Sequence, residues 1–337
     1  MTAAQIIDHG IYNGHRLQEA RLRSGGLSLS LLNVGAVTRD LRLHHNGADR
    51  PLVLGFDDPA EYLANPDYLG AIAGRVAGRI KDARFELDGR VWSLAENEGC
   101  NQLHGGPGGL SHVPWEMELL PDGSARLTYH SPDGENGYPG AVDFTVVLRL
   151  EDMAVEYDMT ATVSQPTPVS LAQHNYYNLA GGVGPIWDHR LQVDATGYLM
   201  LDQTAVPNGE IAALDGLHFD MRLGKSLGDL DPDRLGSDIN LVFASGRDQA
   251  KPVATLTAPD GLQMRVFTDQ PGGQVYTASG LTPSSGGLPG QRIAADMGVC
   301  FEPQGFPNAV NQAHFPNVIA TPDRPYRQKL RLEFRST

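Results

Sequence analysis

The sequence predicts an all-β fold, a sandwich or barrel of antiparallel strands, and three observations carry that prediction. Short segments with apolar residues at every second position recur along the chain, glycine- and proline-rich turns separate them, and no stretch keeps the 3.6-residue apolar period of a long helix. In chain order the alternating segments are 27–32 (LSLSLL), 91–94 (VWSL), 125–129 (ARLTY), 143–150 (DFTVVLRL), 154–163 (AVEYDMTATV) and 262–267 (LQMRVF). Successive side chains of a strand point to opposite faces, so this period buries one face and leaves the other to solvent.

The turn chemistry is Asp88-Gly89, Pro121-Asp122-Gly123, Pro207-Asn208-Gly209 and Pro259-Asp260-Gly261. Glycine supplies a positive φ there and proline presets the entry, which joins neighbouring strands as hairpins. The 39 Gly and 23 Pro also interrupt any attempt at a long helix. Segment 281–291 (LTPSSGGLPGQ) is expected to be a flexible loop, too short for a linker between domains, and residues 1–337 are expected to form one domain.

Apolar residues make up 41% of the chain and charged residues 20%, enough for a sizeable core and too little charge for a disordered chain. The 40 acidic residues against 26 basic ones give a net charge of -14, which repels phosphate backbones and anionic lipid, so neither nucleic acid nor membrane is an expected partner. Cys100 and Cys300 allow at most one bridge and form no CxxC pair. With no basic start followed by an apolar run, a cytoplasmic location is expected.

Four segments set unusual polar chemistry beside glycine or aromatic residues: 74–80 (GRVAGRI), 101–106 (NQLHGG), 173–181 (QHNYYNLAG) and 300–312 (CFEPQGFPNAVNQ). The glycines after His104 are expected to let a ligand approach the backbone, although the LHGG tetrapeptide alone reads more readily as a turn carrying a surface histidine. His174 follows a strand-like run at 168–171 and its ring could face a cleft, although taken alone it reads more readily as a hydrogen-bonded core or edge histidine. Alternation in 299–302 places Glu302 on the face of Cys300, and a carboxylate on a half-apolar face needs a partner or a task. HExxH, Walker A and GxSxG motifs are absent. His44-His45 and the scattered His9, His15, His112, His130, His189, His218 and His314 lack strong metal-ligand spacing, so no metal is expected.

Taken together, the chain resembles the aldose 1-epimerase (galactose mutarotase) family over nearly its whole length. The resemblance rests on blocks in the family's order: LNVGAVTRDL (32–41), VLGFDDPAEY (53–62), YLGAIAGRVAGRI (68–80), NQLHGGPGGL (101–110), SPDGENGYPG (131–140), PVSLAQHNYYNLAG (168–181), VPNGEI (206–211), HFDMR (218–222), SDIN (237–240), PGGQVYT (271–277) and FEPQGFPNAVNQAHFPNVIATP (301–322). It implies a large antiparallel β-sandwich of the galactose mutarotase-like supersandwich type, with a free monosaccharide bound in an open cleft. By position, Glu302 matches the family's general base, His174 its general acid and His104 its second active-site histidine, while Arg79, Asp238 and Gln274 match residues that bind sugar hydroxyls. Gly78, Ile239 and Tyr177 depart from the commoner Asn, His and Phe.

The acid–base reaction implied by the resemblance interconverts the α and β anomers of an aldose such as glucose or galactose and needs no cofactor. Ring opening removes the C1 hydroxyl proton and delivers one to the ring oxygen, and rotation about C1–C2 precedes reclosure. That division expects Glu302 ionised and His174 protonated at the start, each charge stabilising the other. Phe306 or Tyr177 is expected to pack on the sugar's apolar face. Two rival readings are a noncatalytic carbohydrate-binding domain on the same scaffold and a sugar-phosphate epimerase, the latter requiring an arginine or lysine cluster to which Arg75 would add.

Overall fold

The structure is a computed structural model that describes residues 3–12 and 14–336. Three sheets account for most of it, all with antiparallel neighbours. The chain opens with a five-stranded meander (Ala3–Tyr12, His15–Ser24, Leu27–Leu32, Thr38–His45, Ala48–Pro51). The largest sheet has nine strands, with Val142–Glu151, Ala154–Val163, Tyr326–Ser336 and Leu262–Thr268 adjacent at its centre. A six-stranded sheet runs Tyr176–Tyr177, Val299–Gln304, Gly272–Tyr276, Asp238–Phe243, Ala195–Leu201, Pro207–Ala212. The one α-helix among the described residues is a single turn, Leu227–Leu230, capped by the Ser226 hydroxyl, which accepts from Asp229 N at 3.0 Å. No helix is long and apolar enough to cross a membrane.

The predicted alternation builds the core. In the central sheet Val146 faces Met159, Leu148 faces Tyr157 and Tyr157 faces Leu330, all buried. These rows meet the inward faces of the other two sheets, Leu22, Leu29 and Leu41 from the meander and Leu241, Val275 and Phe301 from the six-stranded sheet, in one apolar cluster. Burying each such side chain contributes about 1.5–3 kcal/mol, and sheet-on-sheet packing is what makes the sandwich.

Segments 27–32 and 154–163 are strands over their full predicted length, and 143–150 extends by one residue at each end. Asp88 (φ 53°) and Gly89 (φ 73°) join strands Arg84–Leu87 and Arg90–Ser93 through the two positive φ values of a tight hairpin. Residues 207–209 are the exception, lying inside strand Pro207–Ala212 instead of at a turn. The turn sits at 202–205, where the Asp202 side chain accepts from Thr204 N at 2.8 Å and Val206 N at 3.2 Å, doing the work expected of the proline and glycine. Loop 281–291 has no strand of its own, but it is tied down: Leu288 N donates to Gly55 O at 2.8 Å, and the Gln291 amide donates to Val53 O at 2.7 Å and accepts from Gly55 N at 3.1 Å. Cys100 and Cys300 are both free thiols.

Candidate active site

Three neighbouring strands of the six-stranded sheet supply the floor of a cleft. Their register sets Asp238 opposite Tyr276 and Tyr276 opposite Cys300; the next row is Asn240, Gln274, Glu302, and the third is Val242, Gly272, Gln304. With a period of two, all nine side-chain positions share one face, while Leu241, Val275 and Phe301 go to the core. Glu302 and Cys300 therefore lie together, as the alternation predicts. Tyr176 pairs with Cys300 and belongs to this face, whereas Tyr177 pairs with Val299 and is buried in the core on the other side.

The loops add the rest. His174 sits where the chain leaves its pairing with Ile72–Ala73 and joins Val299–Gln304, and two backbone hydrogen bonds hold it there, His174 N to Ala71 O at 2.9 Å and Gly70 N to His174 O at 3.0 Å. Strand Gln102–Leu103 pairs with Arg79–Ile80, which brings His104 and Arg79 to the same wall. His104 has φ 51° and is followed by Gly105 and Gly106, both at positive φ. A Cβ on Gly105 would lie 1.8 Å from Gly74 O, so this glycine admits another strand of the protein's own backbone, not a ligand as the sequence suggests.

The cleft, about 220 Å³, is lined by all six residues expected from the sequence, Glu302, His174, His104, Arg79, Asp238 and Gln274, together with Tyr68, Tyr176 and Tyr276. Neither Phe306 nor Tyr177 lines it. Phe306 packs on Leu199 and Phe315 over Gly272, where a Cβ would come within 2.8 Å of its ring. Arg75 is also outside the cleft, buried and donating to the Ser131 hydroxyl and the carbonyls of Ser131, Pro132, Pro139 and Gly140.

His174 Nε2 stands 3.7 Å from Glu302 Oε1, too far for a hydrogen bond but near enough for one ligand atom to touch both. The other ring nitrogen, Nδ1, is 3.7 Å from Cys300 Sγ. Burial raises the Cys300 thiol well above its ordinary value, so it stays S–H beside Nδ1. His174, Cys300 and Glu302 are the group among the described residues closest to a metal-binding trio. Each offers one ligand atom, and the three atoms lie within 4.8 Å of one another.

Glu302 is 2% exposed and its Oε2 has no hydrogen-bond partner. Burial, with Asp238 adding to it, raises the carboxyl well above the usual range. Burial also lowers His174 to about 4. Both shifts favour the neutral forms, so the ion pair expected from the sequence is not the state burial selects in the free protein. His104 is lowered as well, by burial and then by His174 and Arg79. Its Nδ1 accepts from Gly78 N at 3.2 Å, so the neutral ring carries its proton on Nε2 and is a donor.

A chain of amides links the remaining polar groups. The Asp238 carboxylate accepts from Gln274 Nε2 at 2.5 Å, which turns Gln274 Oε1 toward Asn240, whose Nδ2 donates to it at 3.0 Å. Asp238 thereby sets the donor and acceptor sense of the whole row, leaving Asn240 Oδ1 as a buried acceptor without a partner. Gln304 Oε1, one row on, is another. Arg79 donates from Nε and Nη2 to the two oxygens of Glu98 at 2.6 and 2.7 Å, and its Nη1 lies 3.8 Å from Asp238.

The model of the aldose 1-epimerase family matches residues 18–333. The galactose mutarotase of Homo sapiens is 36% identical over 319 residues, 93% of this chain and 92% of its own length. The chain belongs to the aldose 1-epimerase family. A bacterial member, the aldose 1-epimerase of Escherichia coli K12, is 31% identical over 304 residues, 87% of each chain. Among solved structures, an aldose epimerase homologue from C. elegans superposes with a TM-score of 0.88 at 28% identity, covering 99% of this chain and all of the other. The galactose 1-epimerase of Lactobacillus acidophilus shares the fold at a TM-score of 0.89. The architecture is thus the galactose mutarotase-like β-sandwich of this family.

The sequence reading missed Asn240, Gln304, Tyr276 and Tyr176, and a signal existed for each. Asn240 is two residues from Asp238, Gln304 two from Glu302 and Tyr276 two from Gln274, so extending the alternation finds them. Tyr176 is found the same way, two residues from His174. Tyr68 lines the cleft and Glu98 bonds Arg79 at its wall, both from irregular loops that carry no such signal.

Proposed function

We propose that this protein is an aldose 1-epimerase that interconverts the α and β anomers of a free aldose such as glucose or galactose. The observation that carries the reading is the buried His174–Glu302 pair, 3.7 Å apart and open to one cleft. Glu302 takes the C1 hydroxyl proton and His174 gives one to the ring oxygen, with the roles reversed on reclosure. The neutral pair and the ion pair hold the same single proton and differ only in where it sits. Their attraction at this distance is about 4 kcal/mol at an effective dielectric near 20, which offsets much of the burial that disfavours the charges. A sugar hydroxyl donating to Glu302 tips the balance toward the ion pair.

His104 presents Nε2–H as a fixed donor beside the reacting atoms, and Tyr68 packs against it with ring centroids 4.7 Å apart. Asp238, Gln274 and Arg79 hold the other hydroxyls, Gln274 partly through its link to Asn240. These residues supply the acid, base and positioning groups, and the scheme invokes no cofactor. The same set argues against a noncatalytic sugar-binding domain, since hydroxyl recognition alone gives no reason to bury a carboxylate against an imidazole. Polarimetry tests the proposal: a freshly dissolved pure anomer should reach its equilibrium rotation faster with the protein than in matched buffer. Bound sugar with no acceleration would establish a binding domain instead.

A further inference from the structure

The Arg79–Glu98 contact is the part of the cleft that the proposed chemistry does not use. Arg79 is the only arginine or lysine among the residues lining the cleft, where Asp67, Asp238 and Glu302 are the acids. A guanidinium recognises a carboxylate or phosphate through a two-pronged edge, and the Nε/Nη2 edge of Arg79 is already taken by both oxygens of Glu98. Only Nη1 stays toward the cleft, and Asp238 lies 3.8 Å from it. Both histidines are pushed toward neutrality by burial and supply no compensating charge.

Glu98 is held in this position by its own loop. Glu98 N donates to Asn101 O at 3.2 Å and Asn101 N donates to Glu98 O at 3.0 Å, closing a tight turn. The preceding Asn97 side chain accepts from Leu103 N at 2.7 Å and donates to Leu103 O at 3.0 Å, which fastens the turn to the strand beside Arg79.

We propose that Glu98 is a specificity residue: by occupying the fork of Arg79 it restricts the cleft to uncharged sugars and excludes sugars bearing a carboxylate or phosphate. The inference rests on the reading of the cleft as an aldose 1-epimerase site. It names a residue that sequence reasoning did not select and gives it an electrostatic task, with Glu98 acting on the ligand through Arg79 as a positioning residue.

The test compares anomerisation of glucose and of glucuronic acid, a sugar of the same ring with a carboxylate, in the wild type, Glu98→Gln, Glu98→Ala and Glu96→Gln. Glu96 is an exposed neighbouring carboxylate, so its variant removes the same charge without touching Arg79. Wild type should prefer glucose. Both Glu98 variants should raise the ratio of kcat/KM for glucuronic acid over glucose by about tenfold or more, as expected of a freed charge-assisted contact. The change should lie mainly in KM and shrink at high salt. Glu96→Gln should leave the ratio unchanged. A wild type that accepts both sugars equally, an unchanged ratio in Glu98→Gln, or an equal rise in Glu96→Gln would overturn the inference. No acceleration of glucose or galactose by the wild type would instead overturn the epimerase reading beneath it.

Discussion

Replacing Glu302 by glutamine isolates the proton-accepting task from shape. The amide keeps the outline of the carboxylate and one oxygen, so the buried strand position should still pack, but it neither takes the C1 proton nor balances an imidazolium at His174. The second loss follows from the geometry. At 3.7 Å and an effective dielectric near 20, the charge of Glu302 stabilises a protonated His174 by about 4 kcal/mol, equivalent to roughly 10³-fold in rate if the transition state keeps both charges. General acid and base groups contribute about 10²–10⁴-fold in other enzymes, so the estimate falls in the ordinary range. Polarimetric kcat should fall by about that factor, while the affinity for sugar, measured by calorimetry, should change little. A Glu302→Gln protein with wild-type kcat would refute the mechanism. His104 would be a poor substitute base, because its Nδ1 is occupied by Gly78 N and its Nε2 carries the proton.

The same variant fixes the meaning of the pH profile. The active pair holds one proton. On the acid side it gains a second, at His174 when Glu302 is already neutral, and burial depresses that step to about 4. On the alkaline side it loses its last proton, from a carboxyl that burial has raised. The wild type should therefore show a bell with a broad top whose limbs belong to the pair, with the acid limb following the imidazole and the alkaline limb the carboxyl. This is the reverse of the assignment an isolated carboxylate and imidazole would give. In Glu302→Gln the imidazole alone titrates, so whatever activity needs it protonated should decline as pH rises through about 4 and show no plateau near neutrality.

Three further outcomes are expected. Glu302→Gln should stabilise the protein at neutral pH: the buried carboxyl binds its proton more tightly folded than unfolded, so wild-type stability falls as pH rises above the ordinary value of 4.5, and each tenfold of extra proton affinity costs about 1.4 kcal/mol. Melting temperatures of the two proteins should converge toward pH 4 and separate above it, and parallel curves would count against the raised carboxyl. Asp238→Asn should raise KM more than it lowers kcat, because it undoes the polarity of the Gln274–Asn240 row, while at the His174–Glu302 pair it removes only a charge that adds to the effect of burial on Glu302; equal effects on both constants would place Asp238 in the chemistry. Gly78→Asn alone should destabilise, since Gly78 sits at φ 74° with Pro307 2.7 Å from where a Cβ would lie, so its influence on sugar preference is best read in Gly78→Asn with Pro307→Ala, and an unchanged preference there would remove Gly78 from specificity.

Strands whose inner face is apolar and whose outer face is polar were legible because the two signals reinforce each other, as in 143–150. Strand Tyr326–Ser336 has the same alternation, Leu330, Leu332 and Phe334 buried against Lys329, Arg331, Glu333 and Arg335, and is legible by the same rule although it was not among the expected segments. Strand Ala3–Tyr12 is an edge with most residues exposed on both faces, and there is no alternation to find. At the site, residue identity was readable from family-like blocks, but facing was not. Tyr177 was expected at the sugar and lies in the core, because pairing with Val299 and Cys300 hands that face to Tyr176, and no sequence window contains the partner strand.

This division between strand and loop bears on how the site works. Glu302, Asn240, Gln274 and Asp238 are fixed by the two antiparallel ladders that join their three strands, and a one-residue slip in either would exchange the polar face for the core-facing Leu241, Val275 or Phe301. Register is thus tied to folding itself: the apolar half of the same strands must reach the core for the sandwich to form, and doing so aims the polar half at the cleft. His104, Arg79 and Glu98 come instead from short loops and two-residue bridges whose sequence can change without moving a ladder. The proposed base is therefore carried by the element least free to vary, and the charge proposed to read the sugar by the element most free to do so. On this arrangement, substitutions at 97–102 should alter which sugar is taken while the His174–Glu302 distance, and with it the proposed chemistry, stays as it is.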